Sequence, residues 1–127
     1  MFVFAQPVNG RLTFTLEQTH GGGHLIGTRQ GSQGQRLLLL GHLDTVFDKG
    51  SAVAAWDRRG EHVRGQGVSD MKGGDVVVLE ALRALQSVGA LDGMRIAVLF
   101  TGDEERVGAP LAQARAELVE LARRSDA

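Results

Sequence analysis

The chain contains no cysteine, which excludes disulfides and thiolate-held metal sites. No run approaches 18 consecutive apolar residues, so no segment is expected to span a membrane. The start, MFVFAQPVNG, has no basic leader and too short an apolar run for a secretory signal. A cytoplasmic location is the expectation. Neither sign of charge dominates: the net charge of −1 gives no reason to expect nucleic acid or an anionic membrane surface as partner. No internal repeat, low-complexity tract or interdomain linker breaks the chain. What remains is one domain's worth of sequence, 127 residues, with a hydrophobic content of 43% that suits a soluble globular core.

Glycine is abundant, at 18 residues, and many glycines lie beside acidic motifs where the backbone must turn tightly. The order of elements follows from periodicity. Residues 11–16 (RLTFTL) alternate and predict a strand, and His24 to Arg29 predict another, entered from the Gly21-Gly22-Gly23 turn. Leu37 to Leu40 form a short apolar run ended by Gly41, which predicts a buried strand, with residues 42–51 as the following loop. Val53 to Trp56 and Glu61 to Arg64 flank Asp57-Arg58-Arg59-Gly60 and predict a small hairpin. Val78, Leu79, Leu82 and Leu85 recur at helical spacing and Gly89 is a natural stop; Val76 and Val77 widen the apolar face, so this helix is expected to be covered on most sides. Met94 to Phe100 predict a second apolar strand, and Leu111 to Arg124 one final helix with Glu120 and Arg124 at i, i+4. Trp56 and the five phenylalanines are expected in the core. The expected fold class is α/β, a mixed sheet with helices packed on it.

Both apolar strands lead into acidic loops, and in open α/β sheets sites collect beyond the carboxyl ends of strands. Three places carry the chemistry: His42 and Asp44 in GHLDTV, Asp70 in SDMKGG, and Glu104-Glu105 in TGDEE. An imidazole with dispersed carboxylates is the donor set of a zinc-type cation. Alone, His42-x-Asp44 is most often a pair of turn residues, although the imidazole can ligate a metal while Asp44 orients it. Alone, Asp70 is most often a helix N-cap; its functional reading is a carboxylate bridging two cations about 3.5–4 Å apart. Glu104 and Glu105, preceded by Asp103, crowd three acids at a sheet edge, where repulsion calls for a compensating cation. IAVLFTGDEE also imitates the acidic strand of nucleotide hydrolases, but the chain has no GxxxxGK[ST] loop, and GQGVSD lacks the third glycine of a dinucleotide fingerprint. His20, His24 and His62 have no acidic partner nearby in sequence and are expected to be surface or packing residues.

Taken together and in order, GHLDTV, GVSDMKGG and TGDEE resemble the signature blocks of the M20 metallopeptidases, the family of glutamate carboxypeptidases, aminoacylases and succinyl-diaminopimelate desuccinylase. The resemblance runs from about Leu37 to the end and includes DRRGEHVRGQG; GHLDTVFDKG looks closest to the glutamate carboxypeptidase-like branch. Each block is weakly specific, but three in order are specific. The resemblance implies a zinc-peptidase-like catalytic domain with two zinc ions, or other divalent metals such as cobalt. His42, Asp70 and Glu105 would be metal ligands, Asp44 the partner that orients His42, and Glu104 the general base. The substrate would be a small peptide or an N-acyl amino acid. Members of the family also carry a further carboxylate ligand and a C-terminal ligand histidine, neither identifiable here, and Asp126 near the first of those places is not assigned to it. Residues 1–127 are therefore expected to be a partial catalytic domain, without the dimerisation domain and the C-terminal catalytic part. The alternative expectation is a non-catalytic remnant, or a subunit completed by a partner, that binds a divalent metal weakly. Uncovered faces would then favour self-association.

Overall fold

A computed structural model describes residues 2–4, 13–18, 23–53 and 56–127, with the backbone alone for the first two segments. Strands β1 (Phe2–Phe4), β2 (Thr13–Gln18), β3 (Gly23–Arg29) and β4 (Gln33–His42) come first. A small hairpin follows, β5 (Asp57–Arg59) with β6 (His62–Arg64), then helix α1 (Gly73–Ser87), strand β7 (Met94–Thr101) and helices α2 (Leu111–Ala114) and α3 (Ala116–Arg123). The main sheet has the order β1-β2-β3-β7-β4. All its pairs are antiparallel except β4 with β7, which run parallel. This is the expected α/β class with a mixed sheet.

The β4–β7 pairing positions the site. Its register sets Leu39 against Val98, Gly41 against Phe100 and His42 against Thr101, so the two strands end side by side. Parallel neighbours need a long crossover, and the hairpin and α1 supply it. Alternation on β7 sends Ile96, Val98 and Phe100 to one face. There they form the core with Leu82 of α1 and Leu91 of the following turn, and Leu39, Val78 and Leu79 pack against it. Buried Arg29 ties β3 to the end of α1. Its Nε donates to the Leu91 carbonyl at 2.8 Å, Nη1 to Gln86 Oε1 at 3.1 Å and Nη2 to Asp92 Oδ1 at 3.1 Å. A buried guanidinium is tolerated because its donors are matched.

Five expectations need correction. The run Leu37 to Leu40, expected as a buried strand, is part of the longer edge strand β4 and none of its four leucines is buried, Leu40 being exposed, because β4 has a strand neighbour on one side only among the described residues. The α1 helix is covered on one face only: Val76 and Val77 are exposed, Val77 at 68%, because no described residue packs on that side. Trp56 is 66% exposed and Phe47 is exposed as well, whereas Phe100 is buried; the side chains of Phe2, Phe4 and Phe14 lie outside the described ones. The final helix is two pieces. Arg115 leaves helical geometry at φ −110° and ψ 9°, and its guanidinium is engaged by Asp103. The hairpin strands fall a few residues from their predicted bounds, with Gly60 (φ 62°) at the turn; residues 54–55 of the predicted first arm lie outside the described residues. So do residues 11–12 of the first predicted strand, His20, and Gly21 and Gly22 of the predicted turn.

The outer edge of β4 is paired at one end by the chain's own last residues. Asp126 N–H donates to the Arg36 carbonyl at 2.7 Å, and Leu38 N–H to the Ala127 carbonyl at 2.7 Å. A side-chain fork reinforces this ladder: Arg36 Nη2 donates to Asp126 Oδ1 at 2.6 Å and Nε to Oδ2 at 3.1 Å. These bonds hold the Asp126 carboxyl well below the usual carboxylate range. A depressed folded pKa gives stability that is present above the unfolded pKa and lost as pH falls through the folded one. Asp126→Asn should therefore lower the melting temperature at neutral pH, and the gap to the wild type should close as pH falls below about 4. Thermal melts of both proteins across that range check this.

Candidate metal centre

Each acid reaches the site by a different local device. His42 is the last residue of β4 and is buried. Its Nδ1 lies 3.2 Å from the Asp44 carbonyl oxygen and its Nε2 lies 3.0 Å from Asp70 Oδ1. The Asp44 carboxylate stands 3.5 Å from Nδ1 and has a second task. It accepts the Glu104 amide at Oδ1 (3.1 Å) and the Glu105 amide at Oδ2 (2.9 Å). The first motif thus holds the backbone of the third. An exposed pair, Arg106 Nη2 with Asp48 Oδ1 at 2.9 Å, ties the same two loops.

Asp70 arrives on an irregular turn, Val68–Lys72. Gly67 precedes it at φ 73°, and a Cβ there would lie 2.7 Å from Thr45 Cγ2 and 2.5 Å from Lys72 Nζ. Asp70 (φ −130°, ψ 100°) and Met71 (φ −128°, ψ 26°) depart from helical values, and the peptide between them is cis. The kink separates Asp70 from α1, whose N-cap is Lys72 with no side-chain cap. Asp70 is accordingly not the N-cap that its position alone suggests. Its side chain is 77% exposed apart from the contact with His42.

Asp103, the first of the three consecutive acids, turns inward and is buried. Arg115 Nη1 donates to its Oδ1 at 2.7 Å and Nη2 to its carbonyl at 3.1 Å. His24, also buried, faces it at 3.9 Å and accepts the Gly102 amide at Nδ1. The crowding expected of three acids is relieved because one is internally paired. No local pattern marks Arg115 for this role; the contact is tertiary.

Glu104 and Glu105 then face His42. One donor atom from each of the three lies within 4.8 Å of the others. With Asp70 the site offers one imidazole and three carboxylates. Ligand atoms on a tetrahedral zinc bound at about 2.0–2.2 Å lie about 3.3–3.6 Å apart, so donor atoms as far apart as 4.8 Å would have to close in to hold one. The donor set fits a borderline-to-hard divalent cation. Burial works to lower the pKa of His42, but the bonds to Asp70 and the Asp44 carbonyl and the nearby Glu104 charge outweigh it, and the imidazole pKa is raised. Such an excess of negative charge around one ring is the field a cation would neutralise. A cavity of about 320 Å³ opens beside the cluster, lined by Leu40, His42, Met71, Thr101, Glu104 and Leu118 among others.

The family follows from comparison with known proteins. Residues 38–126 match the model of Peptidase family M20/M25/M40. This chain belongs to that family. It is similar to carboxypeptidase G2 of Pseudomonas sp. (strain RS-16), with 38% identity over 109 residues, 83% of this chain and 26% of that relative. The chain thus spans about a quarter of the length of the relative it matches. All five site residues predicted from the motifs lie inside the family match.

One consequence concerns Asp44. Removing its carboxylate orphans two amides of the loop that carries Glu104 and Glu105. Asp44→Ala should destabilise the fold by about 1–2 kcal/mol and increase proteolytic cleavage between residues 102 and 106. Urea denaturation and limited proteolysis measure these; an unchanged midpoint and cleavage pattern would remove the anchoring role.

Proposed function

We propose that the chain carries the metal-binding and proton-transfer half of a dinuclear-zinc hydrolase of amide bonds, of carboxypeptidase or N-acyl amino acid hydrolase type. The observation that carries the reading is the meeting of His42, Asp70, Glu104 and Glu105 from three separate segments at the ends of two parallel strands. His42 and Glu105 would each hold a zinc, and Asp70 would bridge the pair. Zinc bound there supplies Lewis-acid polarisation of a scissile carbonyl and acidification of the attacking water. Glu104 takes the proton of that water and returns it to the leaving amine. Asp44 fixes Glu104 by its backbone amide, so the base is held without spending its own carboxylate. The adjoining cavity falls within the size range of small-molecule sites and would take part of a small peptide or an N-acyl amino acid.

Calorimetric titration with zinc, with cobalt as a spectroscopic substitute, tests the ligands. His42→Ala should abolish binding. Glu104→Gln should retain it and lower amide hydrolysis by about 10²–10⁴-fold. Equal loss of both, or of neither, would take the base role from Glu104.

A second reading has its own observations. Leu40 at the site, Val76 and Val77 on α1, Val88 just past its end, and Leu111 and Val119 on the α2–α3 segment are exposed apolar side chains, and Asp70 is largely open to solvent. On this reading the chain is a subunit, completed by a partner or by self-association, that alone binds a metal weakly. A melting temperature that rises with protein concentration, together with zinc affinity that rises in parallel, would favour it. A concentration-independent melt with tight zinc binding by the monomer would exclude it.

A further inference from the structure

One titratable side chain near the site has no assigned task. Asp75 lies in the first turn of α1, at the head of the apolar stretch Val76-Val77-Val78. It is 5% exposed, and neither of its carboxylate oxygens has a hydrogen-bond partner among the described residues. A buried carboxyl left unpaired is unfavourable and needs a reason. Its surroundings supply one. Asp75 Oδ1 lies where a Cβ on Gly41 would come within 2.2 Å, so it rests against the backbone one residue before His42. Glycine at position 41 is what admits it: any side chain there would meet Oδ1 and, at 2.9 Å, the Phe100 ring. Burial raises the Asp75 pKa, and the nearby His42, when protonated, and Lys72, on β4 and at the start of α1, act against that rise. Lys72 does not pair with it. Its Nζ lies instead over Gly67, toward Thr45.

We propose that Asp75 is a positioning residue of the metal centre, a buried counter-charge held in the wall behind His42 that strengthens cation binding without touching the cation. The inference rests on the reading of His42 as a metal ligand. In the metal-free chain the unpaired carboxyl destabilises the fold. A divalent cation on His42 brings positive charge toward it through a medium of low dielectric, where attraction acts over several ångströms. Cation binding then offsets what burial of the carboxyl costs. Stability without metal and affinity for metal therefore pull in opposite directions at this position, which a purely structural residue would not do.

The test uses the full chain with Asp75→Asn, which keeps the shape and removes the charge, and Asp75→Ala as a second variant. Melts in the presence of a chelator read apo stability; calorimetric titration with zinc reads affinity, with His42→Ala as control. The expected result is that Asp75→Asn melts higher than the wild type without metal and binds zinc about tenfold more weakly. Asp75→Ala should share the loss of affinity, whatever its own stability. If the wild type binds zinc through His42 and both variants bind it equally well, the proposal falls and the metal centre stands. If Asp75→Asn lowers apo stability, the counter-charge account is likewise overturned. If the wild type binds no zinc, the reading of the site falls and this inference with it.

Discussion

The parallel pairing of β4 with β7 is the constraint on which the site depends. Two strands running the same way, with His42 opposite Thr101, deliver their following loops to one end of the sheet. An antiparallel arrangement of the same strands would put the imidazole and the glutamates at opposite ends. The pairing is secured on the α1 face by Val98 and Phe100, which are fully buried, and on the outer edge by the Arg36–Asp126 fork. The core and the residues at 126–127 thus cooperate in fixing this register.

On that frame the loops hold one another rather than being held by the sheet. Asp44 receives two backbone amides of the glutamate loop, Arg115 engages Asp103 beneath it, and Gly67 lets the Asp70 turn pass close to Thr45. The division of labour among acids is therefore physical. Asp103 and Asp44 spend their oxygens on protein donors, whereas Glu104, Glu105 and Asp70 present theirs toward His42. A cluster of carboxylates so arranged is electrostatically unfavourable without a cation. Under the proposed function a bound cation would supply the missing term.

The surface tells the complementary story. Apolar residues remain open on α1 and on the α2–α3 segment, and among the described residues β4 is paired on its outer side at Arg36 and Leu38 alone. Exposed apolar side chains and an open strand edge are the features on which the second reading of the function rests.

The order of elements from β2 to the C-terminal helical segment, the three motifs and the family they belong to were legible in the sequence, whereas strand β1 was not. Period-two and helical patterns and motif spacing are local properties, and α1 and β7 fall close to where those patterns place them. Trp56, the valines of α1 and the single predicted helix over 111–124 went the other way. Burial depends on what lies across the molecule, and helical periodicity does not register an arginine drawn to a distant aspartate. The same holds for the site. The sequence by itself marked His42, Asp44, Asp70, Glu104 and Glu105 as candidates, because donor type and neighbouring glycines are written in the chain. Only the tertiary structure decided that Asp103 turns inward, that Asp44 clasps the glutamate loop, and that Asp75 is buried with no hydrogen-bond partner among the described residues. Those assignments turn on distances between residues far apart in sequence, and the chain specifies such distances only by folding.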